Sequence, residues 1–132
     1  MAYNILVVDD SKTIRSIVAK TLRLTKLEIN EIFEAANGKE ALDCLADNWV
    51  DIVFSDLNMP VMTGIELLNT MAEDGLLKDI PVVVISTDGS SARIEELKQK
   101  GVREYLRKPF TPESISETIT RVLGVDDGDT NS

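Results

Sequence analysis

The chain has no histidine and one cysteine, Cys44. The commonest general base and the Ser/His and Cys/His nucleophile pairs are therefore absent, and any chemistry must run on carboxylates, hydroxyls and lysine. Residues of those types stand at the ends of short apolar runs. Asp9 and Asp10 follow "ILVV", Ser55 and Asp56 follow Ile52 to Phe54, Ser86 and Thr87 follow Val82 to Ile85, and Arg107 and Lys108 follow Tyr105 and Leu106. A single Asp after a strand is ordinary, because it accepts hydrogen bonds from the free N–H groups of a helix start. Two adjacent acids need a further reason. Taken one at a time, each residue also has a structural reading: Asp9 and Asp10 as caps, Asp56 as a loop acid, Ser86 as a partner for backbone, Lys108 as an exposed charge and Tyr105 as a core aromatic.

The elements that must position these groups follow from periodicity. Apolar runs rich in β-branched residues alternate with segments of helical period. Ile5 to Val8 precedes Ile14, Ile17, Val18 and Leu22; Ile32 to Ala35 precedes Ala41, Leu42 and Leu45; and three further strand–helix units follow. Gly75 and Gly101 are expected to close helices, with Thr111 and Pro112 as N-cap and first residue of the last one. Five such units predict an α/β domain with a parallel sheet covered on both faces. In sheets of this kind functional groups gather beyond the carboxyl ends of the strands, where the strand order reverses. Four of the five runs end in polar groups and the second does not, as expected if strand two lies at the edge beyond strand one, in the order 2-1-3-4-5.

If the three acids converge, their repulsion must be offset. Two unit charges about 4 Å apart repel by about 4 kcal/mol at an effective dielectric near 20, so three pairs cost roughly 12 kcal/mol, comparable to the stability of a whole domain. Either one acid binds a proton or a cation sits among them. An all-oxygen cluster on a partly open site suits Mg²⁺.

With Asp9-Asp10, "DLNMPVMTG" (Asp56 to Gly64), Ser86 and "KPF" (Lys108 to Phe110) at these spacings, the chain resembles the receiver domains of bacterial response regulators, in the single-domain form of the chemotaxis regulators. The resemblance spans Ile5 to Gly124. It implies a flavodoxin-like, doubly wound, five-stranded sheet with five helices, and it supplies part of the 2-1-3-4-5 order. It further implies that Asp56 accepts a phosphoryl group from a histidine kinase, a role open to a carboxylate nucleophile. Mg²⁺ would be held by Asp9, Asp10, Asp56 and the backbone carbonyl of Asn58. Lys108 would pair with the phosphoryl oxygens, Ser86 would donate to them, and Tyr105 would turn inward behind Ser86. The output would be docking of a downstream protein on the fourth helix, fifth strand and fifth helix, with a phosphatase as a further partner. Such a protein is a switch that supports its own phosphorylation and dephosphorylation rather than an enzyme. Ser86 stands where Thr is more usual. Thr87 stands where a small residue is common and, with Asn58 and Asp88, is expected to tune the phosphate lifetime.

Composition narrows the alternatives. The 132 residues suit one domain, read as a receiver over 1–124 and an acidic, non-periodic, disordered tail over 125–132. The formal charge of −9 opposes nucleic-acid binding. No apolar run is long enough to span a bilayer, and "MAYNIL" lacks the pattern of an export signal, so a cytoplasmic protein without membrane insertion is expected. Two other functions share the residues. One is a docking module of the same fold that works without phosphorylation. The other is a phosphatase of the haloacid dehalogenase type, whose first-strand acids stand two positions apart, whereas here they are adjacent.

Overall fold

The computed structural model describes residues 2–57, 59–86, 91–108 and 110–124, without the side chains of Ser91 and Arg93. The expected tail at 125–132 lies outside them. Five strands and five helices alternate: β1 (Tyr3–Val8), α1 (Lys12–Arg23), β2 (Ile29–Ala35), α2 (Gly38–Asp47), β3 (Ile52–Ser55), α3 (Gly64–Glu73), β4 (Val82–Ser86), α4 (Ser91–Gln99), β5 (Glu104–Arg107) and α5 (Pro112–Leu123). All pairings are parallel, in the flavodoxin-like order β2-β1-β3-β4-β5.

Alternation along each strand divides the core in two. Ile5, Val7, Ile52, Phe54, Val83 and Ile85 face Val18 and Leu22 of α1 and Ile115 and Ile119 of α5. Leu6, Val8, Val53, Val82 and Val84 face the other layer, with residues of α2 and α3 and Leu97 of α4. Central strands read as unbroken apolar runs because both faces are covered. Chain direction explains which helix lies where. The step from β1 to β2 runs one way along the sheet and every later step runs the other, so right-handed crossovers place α1 opposite α2, α3 and α4. The edge strand β2 exposes Asn30, Glu31 and Glu34, polar residues that discourage pairing with another chain.

Helices start on local chemistry. Ser11 Oγ accepts from the Ile14 N–H, Asn37 Oδ1 from the Glu40 N–H, and Thr63 and Thr111 form capping boxes with Glu66 and Ser114. Pro112 opens α5 as expected. At the end of α4 the Val102 N–H reaches the Leu97 carbonyl and the Gly101 N–H that of Lys98, a closing turn that requires the left-handed φ of 105° at Gly101. The expectation for Gly75 is corrected. Asp74, in extended backbone, caps α3, and the glycine lies in the following turn, while Gly124 (φ 70°) is the left-handed cap of α5. The chain leaves the helix at Asp74, whose carboxylate accepts from the Leu76 N–H two residues on and organises the turn, so no left-handed residue is needed and the glycine was a misleading marker. Among the described residues no helix is long and apolar enough to cross a membrane.

Candidate functional site

The hydrogen-bonded ladders continue one residue past the strand ends. The Asp9 N–H donates to the Ala35 carbonyl at 3.0 Å and the Asp56 N–H to the Val8 carbonyl at 2.9 Å. The Lys108 N–H donates to the Ser86 carbonyl, also at 2.9 Å. Backbone bonds between neighbouring strands thus hold the acids and the lysine at one edge of the sheet. Carboxylate oxygens of Asp9, Asp10 and Asp56 lie within 4.8 Å of one another.

The three acids differ in environment. Asp9 is 5% exposed. Its Oδ1 accepts from the Ser11 N–H at 2.9 Å, and Lys108 Nζ stands 3.7 Å from Oδ2. Burial pushes the Asp9 carboxyl above its ordinary value; the Ser11 N–H opposes this, Asp56 adds to it, Lys108 opposes and Asp10 adds. Asp10 is exposed. Asp56 is partly exposed, and its Oδ1 accepts from the Leu57 N–H at 2.8 Å. A lysine at 3.7 Å is an ion pair without a hydrogen bond, so the site is short of positive charge. Hard carboxylate oxygens on a partly open edge are the donor set a small divalent cation prefers, and these residues fit Mg²⁺.

Ser86 ends β4 and is buried. Tyr105, beside Val84 in register, packs against the α2–α3 side of the core, and its hydroxyl is buried without a hydrogen-bond partner among the described residues. Asn58, Thr87 and Asp88 lie outside the described residues.

Three features of the site were not anticipated from the sequence. Arg15, one turn into α1, donates from NH1 to the Asp9 carbonyl at 2.6 Å and from Nε to Glu34 at 2.9 Å. Val61 has φ 68°, unusual for a β-branched residue, in a three-residue turn closed by the Met62 N–H on the Pro60 carbonyl at 2.7 Å. Gly64 passes so close beneath the loop that a Cβ there would lie 2.2 Å from the Asp56 carbonyl oxygen. A glycine directly after the N-cap Thr63, where a better helix former would serve, was the legible sign of that approach.

Residues 5–120 match the response regulator receiver domain family. The chain is 38% identical over 126 residues to a chemotaxis protein CheY homolog of Campylobacter jejuni, with 95% of each chain covered. The structure of the chemotaxis response regulator CheY4 of Vibrio cholerae matches with a TM-score of 0.82 at 36% identity, over 92% of this chain and 99% of that one. The receiver domain of a sensor histidine kinase from Pseudomonas aeruginosa, which has a magnesium ion coordinated in its active site cleft, shares the fold at a TM-score of 0.81 and 20% identity, over 95% and 100% of the two chains. With its parallel 2-1-3-4-5 sheet and its acids gathered past the strand ends, the chain belongs to the response regulator receiver domains of two-component signalling.

Proposed function

We propose that the protein is a phosphorylation-activated switch of the cytoplasm, with a receiver over 1–124 and an acidic tail over 125–132. Asp56 accepts a phosphoryl group from a histidine kinase, and the phosphorylated form docks a downstream protein. The observation that carries this reading is the grouping of Asp9, Asp10 and Asp56 around one point, with Lys108 against the buried acid. One Asp56 oxygen is held by the Leu57 N–H, and the other carries no hydrogen bond among the described residues. That oxygen attacks phosphorus as the bond to the kinase imidazole nitrogen breaks, and the imidazole leaves with the electron pair and takes up a proton.

Asp9, Asp10, Asp56 and the Asn58 carbonyl would hold Mg²⁺, which when bound supplies positive charge against the phosphoryl oxygens. Lys108 pairs with the same oxygens and Ser86 donates to them. Phosphorylation then favours the inward position of Tyr105 behind Ser86, one already open to the resting chain, within an existing equilibrium of α4, β5 and α5, the docking face. The buried hydroxyl of Tyr105 supports an inward position, and α4 is a suitable moving part because Leu97 is its one buried side chain among those described. Thr87, with Asn58 and Asp88, sets how readily water reaches the phosphate, and a separate phosphatase is a candidate partner.

Incubation with acetyl phosphate and Mg²⁺ should add one phosphoryl group by intact-mass spectrometry, with no adduct after chelation or in Asp56→Asn. An equal adduct on the Asn variant would remove Asp56 as acceptor. No adduct on the wild type would leave a docking module of receiver fold.

A further inference from the structure

At the edge of the sheet opposite the acids, a groove of about 340 Å³ opens between the end of α2, the start of β3 and the turn before β4. Its floor is Leu45 and Val50, its walls are Leu77 and Ile80, and its lips are Trp49 and Leu76, which are 78% and 90% exposed. Exposed large apolar groups placed together mark interaction surfaces rather than chance.

Both lips are held in place. The Trp49 indole N–H donates to Asp51 Oδ1 at 3.0 Å, its carbonyl accepts from Asn4 Nδ2 at 2.8 Å, and Asp51 is itself fixed by the Asn4 N–H at 2.8 Å. The Leu76 N–H donates to Asp74 Oδ1 at 2.7 Å, within a turn whose Leu77 and Lys78 N–H groups donate to the Asp74 carbonyl. An ordered aromatic whose polar atom is already satisfied can bury its rings against a partner at little entropic cost, as interface anchors do.

Charge selects the partner. The two segments that build the groove, 43–51 and 73–80, carry Asp43, Asp47, Asp51, Glu73, Asp74 and Asp79 against Lys78 alone. A second copy of this chain, at net charge −9, is disfavoured. So are the chain's own last eight residues, which hold three Asp and no basic residue. We propose that this groove docks a basic amphipathic segment of a partner protein, with apolar side chains between Trp49 and Leu76 and Lys or Arg over the acidic rim. This docking is separate from phosphorylation at the opposite edge.

Trp49 is the only tryptophan, so its emission reports on the groove directly. The full-length protein is titrated with a synthetic amphipathic Leu/Lys helix, with the same helix carrying Glu for Lys, and with a Lys/Ser peptide. The Leu/Lys peptide alone should shift Trp49 emission to the blue, with binding that weakens as salt is raised. Its affinity should fall by about tenfold or more in Leu76→Ser and in Asp47→Lys. It should be unchanged in Asp56→Asn and in Leu24→Ser, a control at an exposed leucine elsewhere. The exposure of Leu76 makes its serine variant safe for folding, which circular dichroism verifies. Equal binding by Leu76→Ser or by the Glu peptide overturns the proposal. So do amide shifts that map to the acid cluster instead of 43–51 and 73–80. A blue shift that grows with protein concentration without peptide assigns the groove to a second copy instead.

Discussion

Asp9 is the residue on which the site's electrostatics turn, because it is the buried acid and faces two other carboxylates with one lysine to answer them. Its folded-state pKa is raised above 3.8, chiefly by burial. Between 3.8 and that raised value the folded protein keeps a proton that the unfolded chain has released, so stability falls as pH rises through the window. In the metal-free protein, Asp9→Asn should therefore gain on the wild type as pH rises from about 4 to 7, as read by urea denaturation at each pH. A flat difference, or one of opposite sign, would mean that Lys108 and the Ser11 N–H outweigh burial. Tyr105 offers a second test at this scale. Its hydroxyl is buried without a partner among the described residues, and a buried polar group left unpaired costs free energy that folding must absorb. Tyr105→Phe should leave the resting protein as stable or up to about 1 kcal/mol more stable in urea. A loss of similar size would reveal a hydrogen bond to a residue outside those described.

At the scale of elements, the approach of α3 to the loop after β3 sets where Asp56 stands. Gly64 lies against the Asp56 carbonyl and its N–H donates to the Leu57 carbonyl at 2.9 Å, so the helix start and the acid move as one. Gly64→Ala should cost about 2–3 kcal/mol, since neither backbone can yield cheaply. Gly75→Ala, with open space around it and an ordinary φ, should be neutral or stabilise by about 0.5 kcal/mol. Urea midpoints of the two variants provide the comparison, and similar values would show that the loop after β3 relaxes around the added methyl.

For the whole molecule, a cation that binds the folded acids and not the unfolded chain must raise stability. Mg²⁺ at about 100 times its dissociation constant should add about 2.7 kcal/mol. Thermal unfolding with and without Mg²⁺ measures it. Asp10→Asn should lose most of the gain, and because Asp10 is exposed its replacement disturbs no packing. A full gain in that variant would place the metal elsewhere. Much of this molecule was legible before folding was considered. The strand–helix alternation and the start of α5 follow from residue types at short spacing, since periodicity and caps are local properties, while the edge position of β2 and the gathering of Asp9, Asp10, Asp56 and Lys108 were legible from the polar strand ends only together with the resemblance to receiver domains. Tertiary packing alone decided the rest. Adjacent acids look alike in a sequence, yet Asp9 is buried and Asp10 exposed, because the β1–β2 ladder extends one residue past the strand, through the Asp9 N–H to the Ala35 carbonyl, and Asp10 lies beyond it. That Arg15 reaches the Asp9 carbonyl, that Gly64 touches that of Asp56, and that Trp49 and Leu76 frame one groove depends on how segments far apart in the chain come to lie side by side, which no local spacing specifies.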